Sequence, residues 1–247
     1  MPNSRISSLH AAVAVAAIAL ASPPSGAQAT TPSAAASQPQ APLSAAQRRA
    51  LLMDPSRPFW KSKASDTAVF EMETSRGTLT IELLRSWAPF GVDRFYNLAR
   101  AGFFDDSRFY RVLPFYIAQF GHPASPAVGA VWRERKLRVD SVRTSNVRGT
   151  VTFAQFNPRD RSTTLFINLN DNVSLDSLGF APIGRVTHGM EFADAIYAGY
   201  GELPSSPAPV GNPRRFFAES NRFLDKAYPK LDRIISIRLR QDSTAHD

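Results

Sequence analysis

The segment RFYRVLPFYIAQFG, Arg108 to Gly121, decides how the rest of the chain is interpreted. It is a dense run of aromatic and aliphatic side chains, typical of an extended and largely buried segment bent at Pro114. Arg111 and Gln119 are set into this run with no opposite charge close by in sequence. Removing an unpaired charge from water is costly. We therefore expect Arg111 to meet either an acidic side chain from elsewhere in the chain or a ligand that needs a fixed cation beside an apolar wall.

The residues before this segment predict a β-hairpin followed by a helix. Apolar and β-branched side chains predict strands over 69–74 and 78–84, and the tripeptide SRG predicts the turn between them. Pro89 suits the first turn of a helix. Apolar residues follow it at three- and four-residue spacing until Gly102, which predicts one amphipathic helix.

The residues after this segment predict more strands and two helices. Residues 122–148 are rich in proline, glycine, serine and charge and predict mostly loop. The runs GTVTFAQF, TTLFINL and FAPIGRV predict three strands, and helices are predicted over 190–197 and around 216–228. In the final run, RIISIRL, apolar and polar residues alternate. This run predicts a closing strand that pairs with the opening hairpin, so that a barrel removes the sheet edges.

The N-terminal residues predict export. Residues 1–29 combine Arg5, the apolar run AAVAVAAIAL and the small-residue stretch SGAQA, which is the pattern of a cleaved signal peptide. The apolar run is too short to cross a bilayer, which needs roughly 20 residues, so we expect no stable membrane insertion after the leader is removed. A mitochondrial targeting segment is the alternative. We therefore expect a periplasmic or secreted protein with an Ala/Pro/Ser/Gln-rich linker over 30–66, a folded domain over 67–241 and a disordered tail over 242–247.

The composition bears on several classes of function. The 247 residues contain no cysteine, which excludes structural disulfides and thiolate metal sites. The net charge is +8, but the basic residues are spread along the chain and do not cluster with stacking aromatics, so we expect no nucleic-acid partner. The four histidines show no metal-ligand spacing, and no G-x-S-x-G motif indicates a hydrolase.

The order of these pieces resembles that of the cyclophilins, a family of prolyl cis-trans isomerases. Four segments carry the resemblance between about residues 69 and 200: the hairpin with its helix, the stretch FYRVLPFYIAQFG, the pair GTVTFAQ and TTLFINL, and LDSLGFAPIGRVTHGMEFADAI. The resemblance implies a mainly β fold, a closed eight-stranded antiparallel barrel capped by two helices. In this chain a further C-terminal helix is predicted before the closing strand.

The resemblance also implies roles for particular residues. It makes Arg111 the catalytic arginine and matches Gln119 to the family's glutamine. It places the proline-binding pocket and the backbone that holds the substrate at Tyr116, Ile117, Phe166, Leu175, Phe180, Ala154 and Gln155. At Gln155 the family has Asn, and we expect this side-chain change to have little effect, because the backbone makes the contact.

Three departures from the family's pattern lie near these residues. Phe120 replaces a glycine, which predicts a stiffer or narrower edge of the groove. Ser174 stands where relatives commonly have an aromatic residue, which predicts weak binding of the immunosuppressant cyclosporin. The stretch HPASPAVGAVWRERK replaces a loop rich in glycine and asparagine, so the surface around the pocket differs from that of compact relatives.

The residues suit the chemistry of this family. Rotation about an X-Pro bond faces a barrier of about 18–20 kcal/mol because amide resonance must be broken. In the twisted amide the proline nitrogen regains a lone pair, and a permanently charged donor such as Arg111 can stabilise it. No bond is made or cut, so we expect no metal or cofactor, and we expect a monomer that acts on proline-containing polypeptides.

Two other interpretations remain open at this stage. Taken alone, Arg111 suits an ordinary strand arginine whose head reaches water, and each apolar pocket residue suits a core position. The protein could also be a cyclophilin-like binding module, a chaperone or scaffold that has kept the fold and lost turnover. An intact Arg111 favours the enzyme, because a pure binder has little need of it.

Overall fold

The opening hairpin follows from alternating burial. The computed structural model describes residues 43–157, 159–201 and 213–240. Strand β1 spans Thr67–Thr74 and strand β2 spans Gly77–Leu84, with Phe70 paired to Ile81 across the ladder. Gly77 has a positive φ of 145°, and a Cβ there would lie 2.6 Å from the Phe192 ring, so only glycine fits at this turn.

Eight antiparallel strands form one curled sheet in the order β3-β4-β6-β5-β7-β2-β1-β8. The remaining strands are β3 Arg111–Leu113, β4 Ile117–Phe120, β5 Thr150–Phe153, β6 Leu165–Asn168, β7 Pro182–His188 and β8 Ile234–Leu239. The predicted closing strand is present as β8, and it pairs with β1. The predicted mainly β, eight-stranded fold is therefore confirmed.

The barrel closes only approximately. The residues just before β3 and β8 meet at one isolated bridge between Arg108 and Arg233, flanked by a hydrogen bond from the Phe109 N–H to the Asp232 carbonyl at 2.9 Å. Within the described residues, the ladders of β3 and β8 are with β4 and β1, and no ladder joins β3 to β8. The fold is therefore a curled half-barrel rather than the closed barrel that the sequence predicts.

Helix α2, Pro89–Arg100, covers the core. Its apolar side chains lie at three- and four-residue spacing, and Val92, Phe95 and Leu98 are fully buried against the sheet. The other helices are α1 Ala45–Met53, α3 Pro126–Trp132, α4 Ser174–Ser177, α5 Met190–Asp194, α6 Pro213–Glu219 and α7 Asn221–Ala227. In the described part of the chain, the helices are all too short or too polar to cross a bilayer.

The structure differs from the prediction for residues 43–66, which were expected to be linker. Helix α1 begins with a reciprocal pair of hydrogen bonds between Ser44 and Gln47. Trp60 packs against Trp132 with ring centroids 4.5 Å apart, and the Trp132 indole N–H donates to the Leu52 carbonyl at 2.8 Å. These contacts bury apolar side chains that a linker would leave in water. The predicted signal peptide, residues 30–42 and the predicted tail lie outside the described residues.

Two further predictions needed correction. Residues 122–148 were expected to be mostly loop but contain α3. The helix predicted around 216–228 is two helices, because Ser220 between them has a φ of 47°. Ser220 is fully buried, and its hydroxyl lies 2.9 Å from His122 Nε2. The break in the helix places this hydroxyl against the histidine.

A buried ion pair lies at the start of α2. The Asp140 carboxylate accepts hydrogen bonds from the N–H groups of Phe90 at 3.0 Å and Gly91 at 2.9 Å. It also lies 3.7 Å from the guanidinium of Arg161, and both charged side chains are 1% exposed. Asp140 therefore caps a helix N-terminus and balances a buried cation with the same two oxygens.

Candidate functional site

Strands β3 and β4 bring Arg111 and Gln119 together. The two strands are joined through the turn at Pro114, and their register places Arg111 directly opposite Gln119. Side chains opposite each other in an antiparallel pair share a face. The Arg111 guanidinium donates a hydrogen bond from Nη1 to Gln119 Oε1 at 2.9 Å. Both side chains are half-buried, so the cation is held in place while still reaching the groove beside it.

An apolar pocket lies next to this pair. Ile117, Phe166 and Leu175 form a small buried cluster that is separate from the main core. Its walls are completed by Tyr116, Ala154 and Phe180. Phe166 is paired to Gln119 across β4 and β6. The β-ladder therefore places the floor of the pocket beside the polar pair.

One groove joins the pocket to the arginine. It has a volume of about 810 Å³ and is lined by both predicted catalytic residues and all seven predicted substrate-binding residues. The structure thus brings all nine predicted residues together, and their individual roles stay predictions. The groove is larger than one proline ring requires, because it continues past Gln119 toward α3 and α6.

The backbone at Gln155 is available to a ligand. The Ala154 N–H donates to the Thr164 carbonyl at 2.9 Å. Within the described residues, neither the N–H nor the carbonyl of Gln155 makes a hydrogen bond. The Gln155 side chain donates to the Leu178 carbonyl at 3.0 Å, and among the residues that the structure describes its buried Oε1 has no partner. This hydrogen bond links the residues after β5 to the turn after α4. The expectation that the change from Asn to Gln has little effect stays a prediction.

The expectation that Phe120 narrows the edge of the groove was wrong, whereas a stiffer edge stays a prediction. Its side chain is fully buried and packs against Phe104 and Phe109, with ring centroids 5.9 and 5.5 Å away. It points into the main core and does not line the groove. Alternation along β4 explains this, because Gln119 faces the groove and its neighbour must face the opposite side. The weak cyclosporin binding expected from Ser174 stays a prediction.

Sequence reasoning missed a second group of groove residues. Tyr110 is 3% exposed, and its hydroxyl accepts a hydrogen bond from Gln119 Nε2 at 3.1 Å. Its ring centroid lies 4.9 Å from that of Phe216 on α6, and the His122 ring centroid lies 4.2 Å from that of Phe216. No local pattern indicates that a residue 106 positions later in the chain lies against Tyr110. The sequence feature that could have indicated this contact is the high density of aromatic residues in the segment Arg108 to Gly121.

His122 is held neutral. Burial, aided by the charge of Arg133, lowers its pKa from 6.5 to about 4, although a backbone hydrogen bond at Phe216 opposes this shift. The unfolded chain therefore binds a proton in a pH range where the folded protein does not. The stability associated with neutral His122 is fully present above pH 6.5 and is lost as pH falls through about 4.

We expect this loss to reach about 3 kcal/mol in the free energy of unfolding between pH 7 and pH 4. Denaturant unfolding across this range should show a slope that His122→Asn reduces. The matched variant His188→Asn, at an exposed position on β7, should keep the wild-type slope. Equal slopes in wild type and His122→Asn would contradict the assignment.

The fold and site define a class: a curled antiparallel sheet that carries one peptide-sized groove with an arginine beside an apolar pocket. A family model described as cyclophilin type peptidyl-prolyl cis-trans isomerase/CLD matches residues 69–212. Peptidyl-prolyl cis-trans isomerase A of Dickeya dadantii is 30% identical over 148 residues, covering 55% of this chain and 78% of that protein. A peptidyl-prolyl cis-trans isomerase of Acinetobacter baylyi is 28% identical over 156 residues, covering 57% and 81%.

Solved structures agree on the fold. A cyclophilin type peptidyl-prolyl cis-trans isomerase of Cryptosporidium parvum matches with a TM-score of 0.54 and 17% identity, covering 71% of this chain and 99% of that one. A second structure, solved in the presence of the dipeptide Ala-Pro, matches with a TM-score of 0.52 and 18% identity, covering 70% and 99%. The chain belongs to the cyclophilin-type peptidyl-prolyl cis-trans isomerase family and is an enzyme of that kind.

Proposed function

We propose that the protein accelerates rotation about X-Pro bonds by directing the Arg111 guanidinium at the proline nitrogen of the twisted amide. The nitrogen is a poor acceptor while the amide is planar and a good one when it is twisted. A donor aimed there binds the transition state more strongly than either planar form, which is the condition for catalysis. The observation that carries this proposal is that Arg111 lines the same groove as the apolar pocket.

The other groove residues divide the work of holding the substrate. The cluster of Ile117, Phe166 and Leu175 is apolar and suits a proline ring. The free backbone groups of Gln155 suit an extended chain on either side of the proline.

Two variants separate the proposed catalytic role of Arg111 from peptide binding alone, the only role that a cyclophilin-like binding module would keep. Phe166→Ala removes the pocket floor, so we expect it to lower both peptide affinity and kcat/KM by about 10- to 100-fold. Arg111→Ala should lower turnover and leave affinity within about threefold, because its contact forms mainly in the transition state. The measurements are a protease-coupled isomerase assay and calorimetry on the same X-Pro peptide.

A remote aromatic residue provides the control. Phe59→Ala, in the short helical turn Pro58–Lys61, lies outside the groove lining and should change neither quantity. Wild-type protein that binds the peptide but shows no turnover would favour the binding module. If Phe166→Ala behaves as wild type, the proline pocket has been placed wrongly.

We further propose that the substrates are unfolded or extended chains in the periplasm or outside the cell, with the protein assisting their folding. The support is the leader-like sequence of residues 1–29. Uncatalysed rotation takes tens to hundreds of seconds and can limit folding. Expression of the full chain followed by fractionation and N-terminal sequencing tests the location. Full-length protein retained in the cytoplasm would contradict it.

A further inference from the structure

The Gln119 amide is engaged at both ends. Its Oε1 accepts from Arg111 Nη1 at 2.9 Å, and its Nε2 donates to the Tyr110 hydroxyl at 3.1 Å. The Tyr110 hydroxyl in turn lies 3.4 Å from Thr164 Oγ1, to which it donates. A chain of three hydrogen bonds thus runs from the guanidinium to Thr164, which also lines the groove.

The direction of this chain follows from the donors available. A guanidinium only donates, so the amide must present its oxygen to Arg111. The amide nitrogen then needs an acceptor, and a phenol can accept while passing its own hydrogen onward. The terminal torsion of glutamine is broad, so an amide without a partner at one end rotates easily. Burial raises the pKa of the Tyr110 phenol, which keeps its hydrogen in place.

The C-terminal helices hold the phenol itself. The ring of Tyr110 packs against Phe216 of α6 and shares a buried cluster with Phe223 and Leu224 of α7. The helices α6 and α7 therefore supply packing for the ring that the sheet does not provide. These contacts do not depend on the hydroxyl, so the ring and its oxygen can be tested separately.

We propose that Tyr110 is a positioning residue for the isomerisation: its hydroxyl holds the Gln119 amide in the orientation that keeps Arg111 aimed into the groove. This inference rests on the role proposed for Arg111. It goes beyond that role because it names the residue that orients the Gln119 amide, and because it connects the packing of α6 and α7 to the groove.

The test is Tyr110→Phe, which keeps the ring on Phe216 and removes the hydroxyl. We expect kcat for a short X-Pro peptide to fall about 3- to 10-fold, the value of one net hydrogen bond. KM should stay within about twofold, because the pocket formed by Ile117 and Phe166 is untouched. In a Gln119→Ala background there is no amide to orient, so adding Tyr110→Phe should change kcat by less than about 1.5-fold.

Two further variants complete the design. Thr164→Val removes the acceptor of the phenol's hydrogen and should lower kcat about two- to threefold. Tyr96→Phe is the matched control on α2, because in the described chain its hydroxyl makes no hydrogen bond, and kcat should not change. It lies outside the groove lining.

The outcomes distinguish the positioning role of Tyr110 from the catalytic role of Arg111. A wild-type kcat in Tyr110→Phe, or the same loss with and without Gln119, would overturn the positioning role and leave Arg111 catalysis intact. A lower midpoint of thermal unfolding with unchanged kcat would assign Tyr110 to stability alone. Absence of turnover in the wild type would instead overturn the proposed function on which the inference rests.

Discussion

Arg111→Ala is expected to lower kcat/KM on a short X-Pro peptide by about 10²- to 10³-fold. The variant removes one or two charge-assisted hydrogen bonds to the twisted amide, each worth about 1.5–3 kcal/mol. The measurement is the protease-coupled assay on purified protein. Arg111 is half-buried at the edge strand β3, so its removal should cost little stability.

Two controls distinguish catalysis from a general effect of charge. Arg111→Lys keeps the charge but not the planar fork, and we expect it to recover only part of the activity. Arg185→Ala removes another strand arginine, one whose exposed head pairs with Glu82 on β2 at 2.8 Å. It should leave kcat/KM within about twofold, since exposed pairs contribute little. If Arg111→Ala retains most of the wild-type activity while Phe166→Ala does not, the role of the arginine is disproved.

Asp140→Ala is expected to destabilise the fold by about 3–5 kcal/mol, the usual cost of leaving one member of a buried ion pair alone. The variant leaves the Arg161 guanidinium, which is 1% exposed, without its carboxylate partner. It also removes the hydrogen bonds that cap the first turn of α2. Burial already lowers the pKa of Arg161, and the nearby carboxylate opposes that shift. Denaturant unfolding monitored by circular dichroism measures the loss.

Milder and compensating variants make this prediction testable even if Asp140→Ala does not fold. Asp140→Asn keeps one acceptor for the helix N–H groups and should lose less. Combining Asp140→Asn with Arg161→Met removes the buried cation and should regain part of the stability. The exposed pair Arg148–Asp194 is the matched control, and Asp194→Asn should cost less than about 1 kcal/mol. Similar losses for Asp140→Ala and Asp194→Asn would rule out a special role for the buried pair.

Local patterns in the sequence were sufficient for most of the fold. Alternation predicted the opening hairpin and β8, and helical spacing predicted α2, because each pattern states which face of one element is buried. The segment around Pro114 was predicted only as an extended stretch with a bend. The structure shows that the bend is a turn between two antiparallel strands, so Arg111 and Gln119, at equal distance from it, face each other.

Local patterns failed where short elements depend on distant partners. The capped helix α1 was not predicted, because its segment has the composition of a linker. Its few apolar residues stabilise the helix only by packing against α3. The break at Ser220 was missed because the residue that its hydroxyl contacts, His122, lies 98 residues earlier in the chain. The buried position of Arg161 likewise requires Asp140, which lies in a region that reads as loop.

The sequence by itself predicted most of the strands and, through the family resemblance, the arginine and the apolar residues that the structure brings into one groove. Only the tertiary structure decided what holds them: the Tyr110 hydroxyl against Gln119, the α6 wall behind Tyr110 and the incomplete seam between β3 and β8. The physical reason is the separation along the chain between the residues that interact. Periodicity encodes burial within one element, whereas a contact between elements about 100 residues apart exists only after the chain has packed, and it leaves no repeating signal in either partner.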